Sequence, residues 1–414
     1  MQKLLTPLDQ IKRFLLWLGL SAFTGAVCGC VGSAFHIAVD WVTAARTSHA
    51  WLLYGLPLAG VGIAALYRVS KLQGVGTNNV IDAIHSGKPL PMLLAPVIFA
   101  ATVVTHLFGG SAGREGAALQ IGGGLGSTLA SGFRMDERDR RVVTLCGMSA
   151  VFSALFGTPI TAAVFVLEVA SVGVLQYSAL VPCLISSLTA QGVALLCGLT
   201  GSGYAAVSQE LNLLMIGRVA LFGVLCAGLS IVECVSFHQM EHWAAKIRNG
   251  YVRGLLGGCL LIGLTLLAGT RDYNGAGGPV IASALGGSVA SPAAFLWKLL
   301  FTAVSVSFGF KGGEIVPTFF IGAAFGCAVG PLLGIPAELA AALGLAGVFC
   351  GVVNCPIASV FLSIELFGSG AVSYFALVCA IAYMLSGRFS LYTGSQNILF
   401  DKTRWEVQKM NWQC

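Results

Sequence analysis

The chain has 414 residues, of which 56% are hydrophobic and only 10% are charged, and its mean hydropathy is +0.85. Because soluble globular proteins carry about 25% charged residues, this composition excludes a water-soluble fold, and with it a disordered, collagen-like or nucleic-acid-binding protein. The formal net charge of +6 is small. The high apolar content makes the lipid bilayer the expected partner. The 54 glycines predict close helix packing or a backbone bent around a ligand.

The basic residues are grouped, and their places predict the topology. The groups precede the first apolar run, fill two polar loops and recur in the tail, at residues 3–13, 134–141, 246–253 and 402–409. If all four face the cytoplasm, the positive-inside rule places both chain ends there, with 1–13 as a cytoplasmic segment and 399–414 as a short cytoplasmic tail. The alternative is solvated helix ends without topological meaning. The first apolar run lacks a small-residue cleavage site, so we expect a retained helix.

Apolar runs follow in chain order, and several are too short or too interrupted to cross a membrane alone. The longer runs lie near 14–39, 51–67, 90–108, 142–156, 176–199, 212–235, 254–269, 292–308, 336–353 and 371–386, and the shorter ones near 117–131, 159–172, 279–289, 316–333 and 357–368. A simple spanning helix needs about 20 residues. Broken helices are tolerated in a bilayer only where the freed backbone is buried in protein or lines an ion path, so the short segments are the functional candidates.

Three blocks of sequence recur in the same order about 200 residues later. The recurring residues are Gly74 and Ile81, Gly109 and Gly113, and Gly147, Pro159 and Glu168, matched by Gly275 and Ile281, Gly309 and Gly313, and Gly344, Pro356 and Glu365. We therefore predict an all-α polytopic membrane protein with two inverted-topology repeats, residues 14–200 and 201–398. Their broken helices are expected to meet at an ion site near the middle of the membrane.

An arginine and a glutamate, Arg114 and Glu115, stand together in the glycine-rich segment 109–122. Charges at membrane depth cost several kcal/mol, so such residues usually serve a purpose. The glycines let the backbone turn and open a helix at Ala117, whose unpaired N–H groups and positive dipole end form an anion site. An ionised Glu115 would compete with the anion there and a protonated one would leave, which makes it a gate that also carries a proton. The alternative is a structural Arg114–Glu115 pair.

The equivalent segment of the second half is 311–322. It places Pro317 early in a predicted helix, and proline is preorganised for a first helical turn. A second helix start is therefore predicted at the same site. Glu314 adds another carboxylate at membrane depth.

These motifs resemble those of the CLC anion channels and anion/proton antiporters over about residues 14–398. The resemblance is carried by Gly-Arg-Glu-Gly at 113–116, Gly-Gly-x-x-x-Pro at 312–317 and the glycine loop at 74–78. It implies a homodimer with one anion pathway per subunit, Glu115 as the gating glutamate, and an anion site between helix starts at 76–79, 116–118 and 315–318. No cytoplasmic regulatory domain is expected. The anion-binding residues that it implies are Gly74, Val75, Gly76, Thr77, Asn78, Gly113, Arg114, Gly116, Ala117, Ile315, Val316, Thr318 and the pathway tyrosine Tyr392.

Departures from the chloride-type pattern resemble the bacterial fluoride/proton antiporter branch. Chloride-type members usually have a serine hydroxyl where this chain has Val75, a proline where it has Ala117, and an inner proton-transfer glutamate where it has Val169. Glu314 then becomes the second acidic waypoint for protons. The resemblance implies a secondary-active antiporter of the bacterial inner membrane that exports fluoride in exchange for protons, with backbone N–H groups supplying most anion contacts.

Two other functions stay open. One is a chloride channel or chloride/proton exchanger of the same fold that tolerates Val75. The other is a membrane-embedded enzyme, for which neither an H-E-x-x-H nor a G-x-S-x-G motif occurs.

The remaining polar residues carry weaker signals. Glu168 and Glu365 hold equivalent places in the two repeats, which favours a structural role at helix ends over a proton relay at Glu168. Asn78 and Asn79 either contact the anion or cap the helix that follows. The histidines share no spacing and are expected at the membrane interface. The 13 cysteines are scattered through apolar runs, so we expect no disulfide and no metal site, and no cofactor is predicted.

Overall fold

A computed structural model of the chain describes residues 7–172, 175–201, 203–289, 291–392 and 397–398. Within these ranges it contains sixteen α-helices, two short 3₁₀ helices and two very short strands. The helices of the first half are α1 (Pro7–Ser48), α2 (Leu56–Val69), α3 (Thr77–Ser86), α4 (Leu94–Phe108), α5 (Glu115–Gly132), α6 (Glu137–Phe156), α7 (Pro159–Ala170) and α8 (Tyr177–Leu196). Those of the second half are α9 (Leu213–Ala245), α10 (Gly250–Ala268), α11 (Gly278–Leu285), α12 (Ala294–Ser307), α13 (Ile315–Val329), α14 (Ala337–Val353), α15 (Pro356–Phe367) and α16 (Val372–Leu385).

The helices divide into long and short ones, as expected for a membrane protein with broken helices. Six helical segments of the described chain are long and apolar enough to cross a membrane: Leu8–Ser48, Ala50–Val69, Tyr177–Leu196, Leu213–Ala245, Gly250–Ala268 and Ile315–Leu333. Other apolar helices, such as α7 and α15, have 12 residues each and are too short for a simple span. The predicted all-helical polytopic fold is confirmed.

Glycines bring two pairs of helices into backbone contact, and the two contacts match. A Cβ atom built on Gly122 of α5 would lie 2.2 Å from the carbonyl oxygen of Gly147 on α6. A Cβ atom on Gly322 of α13 would lie 2.3 Å from the carbonyl oxygen of Gly344 on α14. Each crossing therefore excludes any side chain, and the recurrence of these glycines in the sequence reflects the same helix packing in both halves.

Two glutamates cap each other's helices. Both carboxylate oxygens of Glu168, near the end of α7, accept bonds from the N–H groups of Ile357 (3.1 Å) and Ala358 (2.8 Å) at the start of α15. Glu365, near the end of α15, accepts bonds from the N–H groups of Ile160 (3.0 Å) and Thr161 (2.8 Å) at the start of α7. Each carboxylate satisfies otherwise unpaired N–H groups of an antiparallel neighbour, which is the structural role at helix ends expected for both.

The strands join the end of the described chain to the helical body. β1 (Ser171–Val172) directly follows α7 and pairs in parallel with β2 (Asn397–Ile398). The segment that carries Tyr392 is thereby attached close to α7, and the backbone N–H of Leu391 donates to the carbonyl of Val352 on α14 (2.9 Å). These bonds hold Tyr392 inside the protein, where it is 3% exposed.

Candidate functional site

Two helix starts meet head to head at the centre of the protein. The N–H of Gly113 donates to the carbonyl of Gly313 (2.6 Å), and the N–H of Gly313 donates back to the carbonyl of Gly113 (2.9 Å). α5 begins two residues after the first glycine, at Glu115, and α13 begins two residues after the second, at Ile315. The bridge therefore brings the positive ends of two helix dipoles to one place.

The start of α3 lies beside this bridge. The hydroxyl of Thr77 accepts a bond from the Nε2 of Gln120 on α5 (3.2 Å), and a Cβ atom built on Gly116 would lie 3.4 Å from that hydroxyl. We call the three converging helix starts, at 76–79, 116–118 and 315–318, the central site. The structure thus brings together the three segments that the sequence motifs singled out, around the buried Ala117.

The loop before α3 uses several of its own polar groups locally. The N–H of Val75 donates to the carbonyl of Leu72 (3.0 Å), and the side-chain oxygen of Asn79 accepts the N–H of Gly76 (2.9 Å). Asn79 therefore caps α3, one of the two roles open for it, whereas no hydrogen bond of the Asn78 side chain is found in the described chain, and both asparagines are exposed. Gly74 has a φ of 77°, so the left-handed turn explains the glycine at this position.

Glu115 reaches from the first half into the second. Its side chain is 0% exposed, and its Oε2 accepts a bond from the backbone N–H of Val316 (3.2 Å), inside the first turn of α13. Its Oε1 has no hydrogen-bond partner among the described residues. A carboxylate thus occupies a helix N-terminus, which is the kind of site that binds free anions. The place that it fills is the one where competition with a transported anion was predicted.

Arg114 turns away from Glu115. Its Nη1 lies 2.9 Å from Oδ1 of Asp40 on α1, and the other oxygen of that carboxylate lies 3.1 Å from Nε2 of His36. The alternative of a structural Arg114–Glu115 pair is therefore wrong. Because the guanidinium group of Arg114 is paired with Asp40, Arg114 can act on the central site only through its backbone and through the electric field of its charge.

On the second-half side, the site contains another carboxylate and two hydroxyl groups. Glu314 is the residue that precedes α13, and the hydroxyl of Thr318 lies 3.0 Å from the carbonyl oxygen of Glu314. The phenol oxygen of Tyr392 is buried without a hydrogen-bond partner in the described chain, and this group interacts electrostatically with both Glu115 and Glu314. An unpaired buried donor close to two carboxylates and two helix starts is suited to bind an anion.

Two buried basic side chains next to the site were missed or misplaced by the sequence interpretation. Lys298 of α12 is 0% exposed, and its Nζ donates to Ser111 (2.9 Å) and to the carbonyls of Tyr273 (3.1 Å) and Gly275 (2.6 Å). Lys298 thus connects the loop before α5 to the loop before α11. In the sequence it could have been noticed as a lone lysine in an apolar run, because charge at membrane depth is costly. The expected interfacial place of His106 is wrong: it is buried, and its Nε2–H donates to the carbonyl of Gly113 (3.3 Å).

A basic cavity opens beside the loops that precede α3 and α13. It has a volume of about 290 Å³, and its lining includes Gln73, Gly74, Arg253, Gly309 and Lys311. The amine of Lys311 also lies 4.5 Å above the ring of Tyr67. Cations in a concave, partly apolar cavity raise the local concentration of anions, so this cavity is suited to attract them.

Comparisons with known proteins agree with this geometry. Residues 59–387 match the profile of the family described as voltage gated chloride channel. A chloride/fluoride channel protein of Pseudomonas syringae pv. tomato is 33% identical over 395 residues, covering 93% of this chain and 87% of that protein. The H(+)/Cl(−) exchange transporter ClcA of Vibrio vulnificus is 26% identical over 87% of this chain and 85% of that protein.

Solved structures of two antiporters have the same fold as this chain. The crystal structure of a CLC-type fluoride/proton antiporter superposes with a TM-score of 0.89 at 29% identity, covering 95% of this chain and all of that one, 100%. A slow cyanobacterial Cl⁻/H⁺ antiporter superposes with a TM-score of 0.74 at 18% identity, over 89% of this chain and 94% of that one, and supports the fold alone.

Proposed function

The chain belongs to the voltage-gated chloride channel (CLC) family, and from this premise we propose that it is a secondary-active antiporter that exports fluoride in exchange for protons. One observation carries the proposal: the carboxylate of Glu115 sits on the N–H of Val316, at the start of a helix from the other repeat. A negatively charged side chain in this place has to leave before a free anion can bind there.

The mechanism follows from the charge of that carboxylate. Ionised, Glu115 is held by the helix starts and blocks the central site. Protonated, it loses that attraction and moves away, so fluoride can take its place on the N–H groups of α5 and α13. Each departure of Glu115 removes a proton from one solution, and each return delivers it to the other. Glu314, at the start of α13, serves as the second acidic waypoint for the proton.

The anion contacts of this proposal come mainly from the backbone. They are assigned to the first turns of the three helices, at Thr77, Asn78, Gly116, Ala117, Ile315 and Val316, with the unpaired phenol group of Tyr392 as a side-chain donor. The N–H groups of Val75, Gly76, Gly113 and Thr318 already donate within the protein, so these residues and Gly74 position the helix starts. Val75 carries no hydroxyl for a central chloride, and the two relatives whose names include fluoride favour fluoride as the anion. The relatives named as H(+)/Cl(−) exchange transporters favour a second candidate, a chloride/proton exchanger or channel of the same fold.

We extend the proposal to the assembly and the membrane. The chain is placed in a bacterial inner membrane as a homodimer, with one pathway per subunit and both chain ends in the cytoplasm. The repeats extend over 14–200 and 201–398. Helix α8 presents the exposed apolar side chains of Tyr177, Val181, Leu188 and Leu195, which either lipid or a second copy has to cover.

Purified protein in liposomes tests the function. A fluoride gradient imposed across the vesicle membrane is expected to move protons against their own gradient, and protein-free liposomes are the control. Chloride flux at a rate similar to that of fluoride would instead support the second candidate function, a chloride/proton exchanger or channel. Fluoride flux without any proton movement would make the protein a channel.

A further inference from the structure

A third carboxylate is buried behind the central site, and the mechanism above does not use it. Glu233 lies in the middle of α9 and is 0% exposed. Its Oε1 lies 2.5 Å from the hydroxyl oxygen of Thr318, and its Oε2 has no hydrogen-bond partner among the described residues. Glu168 differs, because both of its oxygens accept backbone N–H groups. Glu233 therefore lacks the donors that stabilise an ionised carboxylate inside the protein.

No cation of the described chain neutralises Glu233. The ion pairs found there join Asp40 to His36 and Arg114. The helices packed against α9 include α12, α14, α16 and the 3₁₀ helix Gly330–Leu333, and the charged residues in these are Lys298 and Glu338. The amine of Lys298 already has three partners, and Glu314, the charge that acts on Glu233, has the same sign. A buried charge without a partner is strongly unfavourable.

The hydrogen atoms at Thr318 lead to the same conclusion. The hydroxyl oxygen of Thr318 lies 2.5 Å from Glu233 and 3.0 Å from the carbonyl oxygen of Glu314. A threonine hydroxyl has one hydrogen and can accept further bonds, so it cannot donate fully to two acceptors. If Glu233 is protonated, its O–H donates to the hydroxyl of Thr318, and the hydrogen of Thr318 is free for the carbonyl of Glu314. The acid proton of Glu233, the hydroxyl of Thr318 and the carbonyl of Glu314 then each have a partner, and the oxygen left without one, Oε2, is uncharged.

We propose that Glu233 keeps its proton during transport and acts as a neutral hydrogen-bond donor that positions Thr318 and, through it, the first turn of α13. That turn carries the N–H of Val316, which holds Glu115. Glu233 is thus a positioning residue for the anion site, and its neutrality keeps an extra negative charge away from that site. The transport consequence rests on the proposed fluoride/proton exchange, whereas the protonation of Glu233 does not.

Infrared difference spectroscopy tests the protonation directly and needs no transport. The spectrum of the wild-type protein at neutral pH minus that of Glu233→Gln is expected to contain the C=O stretching band of a protonated carboxylic acid. A carboxylate band in its place would overturn the proposal. The control is Glu210→Gln, which changes an exposed glutamate in the loop before α9 and is expected to remove a carboxylate band.

Transport by three variants tests the positioning role. Glu233→Gln keeps a neutral donor, so fluoride transport and proton coupling are expected to stay near wild type. Glu233→Leu and Thr318→Val each remove one end of the bond and are expected to weaken fluoride binding about ten-fold, equivalent to about 1.4 kcal/mol. The double variant is expected to lose no more than either single one, because both changes break one interaction.

Other outcomes overturn the proposal. If Glu233→Gln loses coupling, Glu233 exchanges its proton during the cycle. If Glu233→Leu transports like the wild type, the carboxyl group has no positioning role. Thr318→Val keeps the shape of the side chain, so it carries the test if Glu233→Leu does not fold, as judged by size-exclusion chromatography. A wild-type protein that moves no fluoride would defeat the proposed function and leave the infrared result standing.

Discussion

At the centre of the molecule, the two repeats have the same backbone arrangement. Besides the bridge between Gly113 and Gly313, two more bonds correspond. The N–H of Ser111 donates to the hydroxyl of Ser305 (2.8 Å), and the N–H of Lys311 donates to the hydroxyl of Thr105 (3.1 Å). Each donor and each acceptor is separated from its counterpart by 200 residues. Small residues and hydroxyl groups that recur in both halves therefore build a frame with nearly two-fold symmetry.

The charges on that frame differ. The residue before α5 is Arg114 and the residue before α13 is Glu314, while the first residues of the two helices are Glu115 and Ile315. As a result, the only acidic side chain in the first turn of either helix belongs to the first half, and it reaches across to Val316 of the second. A symmetric frame supplies two converging dipoles, and one asymmetric carboxylate makes the site switchable.

The largest effect is expected from removing that carboxylate. Glu115→Gln keeps the size of the side chain but cannot ionise, so proton movement driven by a fluoride gradient should fall to background. Fluoride flux through the same vesicles should either persist without protons or stop. Measurement of both ions in one liposome preparation decides this, with Glu210→Gln as the matched exposed control. Unchanged coupling in Glu115→Gln would remove this residue from the mechanism.

Substitutions at the two bridging glycines are expected to have different effects, one on the Glu115 carboxylate and the other on the backbone. A Cβ atom on Gly113 would lie 2.2 Å from Oε2 of Glu115, so Gly113→Ala should displace a movable side chain and reduce coupling in a folded protein. A Cβ atom on Gly313 would lie 2.4 Å from the backbone nitrogen of Gly116, so Gly313→Ala must shift the start of α5. We expect a loss of about 1–3 kcal/mol in stability for the second variant. Thermal unfolding in detergent measures this, and equal losses in Tm would contradict the distinction.

The sequence predicts the repeated part of this structure well. Glycines such as Gly122 and Gly322 mark the helix crossings because the lack of a side chain is required there whatever surrounds it, and the sequence shows this directly. The three helix starts of the central site follow from glycine and proline for the same local reason. Glu115 could be identified from the sequence as a functional candidate, because charge at membrane depth is costly in any arrangement.

Contacts between distant side chains are what the sequence does not predict. That Arg114 pairs with Asp40 of α1 depends on how two helices pack, and no spacing along the chain encodes it. Lys298 falls opposite an apolar residue, Ile98, in the first repeat, so the repeat pattern does not reveal it. Glu233 is one of two acids in the long apolar helix α9, the other being Glu241 near its end, but the role of Glu233 depends on the hydroxyl of Thr318.

A smaller effect is expected at the reciprocal caps, which belong to the frame. Glu168→Gln and Glu365→Gln each weaken charge-assisted bonds to a helix start, worth about 1.5–3 kcal/mol in similar cases. Glu365 also accepts the hydroxyl of Thr161 (2.5 Å), so its variant should lose somewhat more Tm than the other. Proton coupling should be unchanged in both. Coupling lost in Glu168→Gln alone would instead make Glu168 a proton relay.

The smallest effect is expected where the halves differ in how a short helix begins. α3 is capped by Asn79, which accepts the N–H of Gly76, whereas α11 begins at Gly278 with proline in its first turn and no side-chain cap. Asn79→Ala should therefore cost about 1 kcal/mol, seen as a modest fall in Tm. Asn78→Ala is the neighbouring control and should leave Tm unchanged, because both asparagines are exposed but only the side chain of Asn79 caps the helix. If Asn78→Ala weakens fluoride binding at constant Tm, the amide of Asn78 contacts the anion and the start of α3 contributes a side chain to the site.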